Sequence, residues 1–265
     1  MSIKFIPIAS GSSGNCIFIG TDHTKILVDA GISCKKIEQA LQNINISLAE
    51  MDAILVTHEH SDHIDGVGII SRKYNIPIYA TTGTWEVLQQ RIGETPHGTK
   101  SIVYPSERFI LNDLSIYPFS VPHDVKEPVC YNIAYKNYKI SILTDLGHIT
   151  KEVIENVKHC NILFIESNHD EDMLKASSYP YKLKQRILGK YGHISNETAG
   201  KLIACVFNQN LKNIFLGHLS KECNMPDLAY LTVSNILDEF GIKVNLDTKI
   251  HMAEEYGTKK VITLK

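Results

Sequence analysis

The stretch Thr57-His58-Glu59-His60-Ser61-Asp62-His63 constrains this chain more than any other, because it places three histidines and two acids within seven residues. Upstream, Asp52-Ala53-Ile54-Leu55-Val56 reads as a short buried strand, and the residues from Ile64 to Lys73 read as a helix start. The cluster therefore falls where a strand hands over to a helix. His58 and His60 are two apart, so an extended backbone points both imidazoles the same way. Asp62 and His63 fall on the turn into the helix, which can swing them to a neighbouring position. A polar hydrogen-bonding loop would account for one such histidine. Four potential ligands in His-x-His-x-Asp-His order suit two adjacent divalent metals instead.

Scattered residues fit the same chemistry. His123 closes a strand sixty residues beyond the cluster. Alone it is an ordinary loop histidine; beside the cluster it is the natural third nitrogen ligand for a first metal. Asp145 follows the strand 139–143 and reads either as a carboxylate bridging two metals or as a helix N-cap. His218 follows the strand 213–217 and completes the ligand count for a second metal. Asp29 ends the strand 25–28 before Gly31, a turn signal that also suits an acceptor orienting a metal histidine. In Ser10-Gly11-Ser12-Ser13-Gly14-Asn15 the glycines allow close approach, and Ser10, Ser12, Ser13 and Asn15 add donors that could cradle an anion. The same stretch reads equally as a tight β-turn. Between Met173 and Lys190 lie Lys175, Lys182, Lys184, Arg186 and Lys190 with no acid, interleaved with Tyr179 and Tyr181. That is either a solvated helical face or a surface for a phosphate backbone.

Alternation and turn residues give further strands at 3–8, 16–19, 76–80, 161–165, 242–246 and 249–264, with hairpins over 106–117 and 131–143. Helices are expected at 35–44, 83–92, 196–207 and 227–240. The metal candidates all sit at strand ends, which suits two mixed sheets with helices outside. Hydrophobic residues make up 43% of the chain, enough for a substantial core. The net charge of −2 excludes a uniformly basic nucleic-acid coat but leaves room for a local basic patch. No apolar run approaches the ~20 residues of a membrane span, and the N-terminal residues lack the pattern of a signal peptide. Six well-separated cysteines, with no Cys-x-x-Cys pair, read as reduced thiols of a cytoplasmic protein.

The His-x-His-x-Asp-His spacing is identified as a signature of the metallo-β-lactamase superfamily, whose fold is α/β (α+β), an αββα four-layer sandwich. Several stretches resemble its YycJ/WalJ (VicX) subfamily: Ser10 to Asn15, Leu27 to Gly31, Glu166-Ser167-Asn168-His169-Asp170, Tyr179-Pro180 through Ile187, Gly192 to Asn196, and His218 to Glu222. The pattern departs at Cys223-Asn224, where two asparagines are expected. The resemblance implies His58, His60 and His123 on one metal, Asp62, His63 and His218 on another, Asp145 between them, and Asp29 orienting a ligand. His193 matches a histidine that the tRNA-processing nuclease RNase Z uses near the leaving group, with Glu166 orienting it. Asp62, His193 and Glu166 are thus the candidate catalytic groups. Two divalent ions are expected, zinc or manganese, with iron compatible. Only 47 residues separate Asp145 from His193, so the expectation is one domain over 1–265 without a β-CASP cap. The implied activity is that of a metal-dependent phosphodiesterase, a 5′→3′ exonuclease on DNA ahead of RNA, with Lys184 and Arg186 on flanking phosphates. Two rivals remain open: a hydrolase of thioesters, lactones or β-lactams, and a non-catalytic accessory protein of a two-component signalling system. A second copy of the chain also stays open as a partner.

Overall fold

The computed structural model describes residues 2–257 and 260–265. The chain divides into two compact units, one of Met1–Pro118, Val125–Val129 and Glu254–Lys265, the other of Phe119–Asp124 and Cys130–Ala253.

The first unit contains β1 (Ile3–Ala9), β2 (Cys16–Gly20), β3 (Lys25–Val28), α1 (Cys34–Gln42), β4 (Ala53–Leu55), α2 (Ser61–Ile64), α3 (Val67–Tyr74), β5 (Ile78–Ala80), α4 (Thr82–Ile92) and β6 (Lys100–Ile102). These strands, with Ile262–Leu264 beside β1, form a seven-stranded sheet in the order of the chain. The hairpin β7 (Phe109–Leu111) and β8 (Leu114–Ser120) turns at Asn112, whose φ of 50° suits its small amide. Pro7 cannot donate to a ladder, and the register of β1 on β2 shifts between Pro7 and Ala9. β3 and β4 run parallel, with Val28 opposite Leu55. The loops that follow them therefore leave the sheet at the same edge, and this sets Asp29 beside the histidine-rich loop. Their approach depends on Gly31, where a Cβ would lie 1.6 Å from the Asp62 carbonyl oxygen. Ile37, Ala40 and Leu41 of α1 pack into one apolar cluster with Leu27, Ile54, Ile70 and Trp85.

The second unit contains β9 (Val129–Tyr135), β10 (Tyr138–Leu143), α5 (Lys151–Val157), β11 (Ile162–Glu166), α6 (Glu171–Ala176), α7 (Tyr181–Ile187), α8 (Asn196–Val206), β12 (Asn213–Gly217), α9 (Pro226–Glu239) and β13 (Lys249–Met252). β10, β11, β12 and β13 are parallel neighbours, and β9 pairs antiparallel with β10. Parallel order brings the C-terminal ends of β10, β11 and β12 side by side, and Asp145, Glu166 and His218 stand at those ends. The fold as a whole has two mixed seven-stranded sheets with flanking helices.

Two expectations need correction. Residues 242–246 form a turn with a bridge from Val244 to Thr248, because Asn245 takes φ 70° and the Asp247 carboxylate accepts from Lys243 N at 2.8 Å. The span 249–264 is two separate strands, Lys249–Met252 and Ile262–Leu264, and its residues 258–259 lie outside the described residues. Among the described residues no helix is long and apolar enough to cross a membrane.

Candidate metal centre

In the first unit the loop after β4 is organised by a buried carboxylate. Asp29, 2% exposed and held at φ 59°, accepts from Thr57 N and Thr57 Oγ1, each at 2.8 Å, and from His63 Nδ1 at 2.7 Å. A proton on His63 Nδ1 leaves Nε2 with its lone pair. The Thr57 hydroxyl, having donated to Asp29, can accept from His58 Nδ1 at 3.0 Å, and His58 Nε2 is likewise left as a base. His58 Nε2 lies 3.1 Å from His60 Nδ1. Two nitrogens on one tetrahedral ion stand about 3.3 Å apart for bonds near 2.05 Å, so this spacing fits a shared cation. On the other side of His63, Nε2 is 3.5 Å from Asp62 Oδ2. The Asn15 amide contacts both, at 3.0 Å from His63 Nε2 and 3.2 Å from Asp62 Oδ2.

In the second unit Asp145, Glu166, His193 and His218 each offer a ligand atom, all within 4.8 Å of one another. Asp145 Oδ1 lies 3.2 Å from His218 Nδ1 and 3.8 Å from His123 Nε2. His123 Nδ1 donates to the Gly192 carbonyl at 3.2 Å, which leaves Nε2 as the lone-pair nitrogen. Burial depresses the His123 pKa, with His193 adding to the effect against the pull of Asp145. A neutral imidazole is the ligating form. Glu166 is wholly buried; Oε1 accepts from Leu146 N at 2.7 Å and Ile194 N at 3.1 Å, and Oε2 lies 3.0 Å from His193 Nδ1. Burial raises the pKa of its carboxyl, but the charge and hydrogen bond of His193 and the contact with His218 outweigh it, and the net shift is downward. Asp145 and His218 both hold left-handed backbone, φ 52° and 53°. Neither is glycine, so the surrounding bonds must maintain these conformations.

A family model described as "Beta-lactamase superfamily domain" matches residues 24–211. The chain is 39% identical over 251 residues to "Exodeoxyribonuclease YycJ" of Bacillus anthracis, covering 95% of each chain. It is 38% identical over 253 residues to "Exodeoxyribonuclease WalJ" of Streptococcus pneumoniae, covering 95% of this chain and 94% of that one. The chain belongs to the metallo-β-lactamase superfamily. The crystal structure of the metallo-β-lactamase fold protein YhfI from Bacillus subtilis superposes with a TM-score of 0.76 over 99% of both chains at 16% identity, a likeness of fold.

The residues fit the metal chemistry that the superfamily name brings to mind. The donors are imidazoles and carboxylates without thiolate, and three of the imidazoles have Nδ1 committed elsewhere, which makes Nε2 the lone-pair nitrogen; on His63 that nitrogen also meets the Asn15 amide. Asp145 is not a helix cap, since the next helix is capped by Thr150. The loop 10–15 is a turn, with Gly14 N donating to Gly11 O at 3.0 Å. Ser10 is buried, Ser12 is exposed, and the Ser13 hydroxyl donates to Glu255 at 2.9 Å. Of this loop it is Asn15 that reaches the metal-site residues. Arg186 forks onto Asp124 at 2.5 and 3.0 Å, and Lys184 Nζ sits on the Lys175 and Ser177 carbonyls at 2.7 Å each. Sequence reasoning missed Thr57 and the amides behind His218. Asn168 donates to the His218 carbonyl at 3.0 Å, and Asn224 in turn donates to the carbonyls of Ser167 and Asn168. Cys223 packs with Leu174 and Ile187, so the departure from the subfamily pattern falls on an apolar contact while Asn224 keeps the amide.

Proposed function

We propose that this chain is a metal-dependent exodeoxyribonuclease working from 5′ ends. In this reading its two units act as one catalytic domain without a cap. His58, His60 and His123 would hold one divalent ion and Asp62, His63 and His218 a second, with Asp145 available to either; zinc or manganese suits these donors. Bound ions would acidify a water near neutral pH and offset charge on the phosphoryl group.

The observation that carries the reading is the Glu166–His193 pair in the same cluster as Asp145 and His218. A buried carboxylate on Nδ1 fixes the orientation of the ring, so that Nε2 is placed to deliver a proton. A departing sugar alkoxide needs that proton. A thiolate, whose conjugate acid has a pKa near 8.5, departs without one. The arrangement thus favours phosphodiesters over thioesters, and the names of the relatives favour DNA.

Purified protein supplied with Mn²⁺ or Zn²⁺ is expected to release nucleotides from 5′-end-labelled DNA faster than from RNA. His193→Ala should cut kcat on DNA by about 10²–10⁴. It should cost less on a p-nitrophenyl phosphodiester, whose leaving group needs little protonation. Turnover of a thioester or nitrocefin exceeding that of DNA would overturn the reading.

A further inference from the structure

The Asn15 amide is oriented by its own loop. Its Oδ1 accepts from Gly11 N at 3.0 Å, which fixes the other amide atom as the donor nitrogen. That Nδ2 lies 3.2 Å from the Gly11 carbonyl oxygen, 3.4 Å from the Asp62 carbonyl oxygen, 3.2 Å from Asp62 Oδ2 and 3.0 Å from His63 Nε2. The backbone beneath is held as firmly. Asn15 N donates to the Asp62 carbonyl at 2.7 Å, and Gly31 N donates to the Asn15 carbonyl at 2.8 Å. A Cβ at Gly14, whose φ is 145°, would stand 2.5 Å from the Gly31 carbonyl oxygen. The fold of the first unit thus delivers a buried amide to the two side chains, Asp62 and His63, that the histidine-rich loop offers together.

His63 has a single lone pair to give. Its Nδ1 donates to Asp29, so Nε2 is the basic nitrogen, and one lone pair serves either an N–H or an ion. Asn15 therefore differs in kind from the groups behind the ligand histidines. Asp29 on His63 and the Gly192 carbonyl on His123 both act at Nδ1 and leave the opposite nitrogen a better ligand. Asn15 acts on the ligand nitrogen itself. A bond made at Nδ1 survives when an ion binds, whereas a bond made at Nε2 is given up.

We infer that Asn15 is a positioning residue that competes with a divalent cation for His63 Nε2 and Asp62 Oδ2. The Asp62–His63 position then takes up its ion at the expense of the amide's hydrogen bonds, and binds more weakly than its donors alone would make it. Occupancy of that one position follows the free metal concentration, and with it the activity. This inference rests on the ligand set of the nuclease reading given above.

The test titrates the full chain with Zn²⁺ against a chromophoric chelator, without DNA. The wild type should bind two ions. Asn15→Ala should tighten one of the two steps about ten-fold, the worth of a net hydrogen bond, and leave the other unchanged. A residue that only braces the loop or orients the ligands predicts the opposite sign. A weaker step in Asn15→Ala, no change in either step, or a wild type that binds fewer than two ions overturns the inference. Should the alanine variant fail to fold, the wild type decides by NMR: the side-chain amide resonance of Asn15 should move with one Zn²⁺ step, and a resonance indifferent to both steps overturns the competition. Release of nucleotides from DNA is measured separately. A wild type that binds two ions and cleaves no DNA overturns the nuclease reading and leaves the competition standing. Cleavage of DNA by a wild type whose Asn15→Ala variant binds no ion more tightly does the reverse.

Discussion

Asp29→Asn isolates the electrostatic part of one residue's role. Asparagine tolerates the left-handed φ of 59° about as readily as aspartate, so the backbone has no reason to move. What changes is the partner of His63 Nδ1: a charged acceptor becomes an amide that can no longer accept from Thr57 N, Thr57 Oγ1 and His63 together. Metal affinity is expected to fall about 10–100-fold, read by competition against a chromophoric chelator. Unchanged affinity would mean that Asp29 serves the loop's fold alone. Asp29 could be suspected from sequence, because an acid at a strand end two residues before glycine is a short-range pattern. Asn15 and Asn168 could not be assigned these partners. An amide's role is set by which atoms come within about 3 Å of it, and those atoms lie 47 to 50 positions away in the chain.

At the level of elements, Gly31 and Glu38 make separate claims about how the first unit is joined. Gly31→Ala would drive a methyl into the Asp62 carbonyl oxygen, so the loop after β3 could no longer approach the metal loop. A loss of about 3 kcal/mol or more is expected, measured by urea unfolding, because the clash is with backbone and has nowhere to relax. Glu38 ties α1 to α3 by accepting from Lys73 at 2.6 Å and from the Tyr74 hydroxyl. Those two bonds, Lys73's foremost, lower its pKa from 4.5 to about 2. A lowered carboxylate pKa means stability present above the unfolded value and lost as pH falls through the folded one. The difference in stability between the wild type and Glu38→Gln should therefore be full at pH 7 and shrink between pH 4.5 and 2. For so exposed a pair it should not exceed about 1 kcal/mol, and a difference constant with pH would show that the pair contributes nothing. The longer helices and most strands were readable because their periods are local, whereas α5 and α6, of seven and six residues, are too short to show a period and were not expected. The strand expected at 242–246 failed because its apolar alternation is broken by Asn245 in a left-handed turn, a conformation that alternation alone does not reveal.

For the whole molecule, the proposed ligand set would give the folded state an affinity for cations that the unfolded chain lacks, so chelation should destabilise the chain as well as silence it. A metal at 100 times its Kd stabilises the state that binds it by about 2.7 kcal/mol, several degrees of Tm for a chain of this size. Calorimetry of EDTA-treated protein, with and without added Mn²⁺ or Zn²⁺, should show that upward shift, and a smaller one for Asp29→Asn at the same metal concentration. A Tm indifferent to metal would contradict the assignment. The amino-acid order alone carried the candidate donor types, their spacing in the histidine-rich loop and the superfamily, since a seven-residue motif at a strand end needs only the strand's own period to aim its side chains. The fold settled which imidazole nitrogens are committed to hydrogen bonds with neighbouring groups, and which cations of the basic stretch face solvent. Arg186 is withdrawn by a carboxylate 62 positions away, while Lys190 finds none among the described residues. Charge pairing depends on distance in space, and sequence order does not contain that distance.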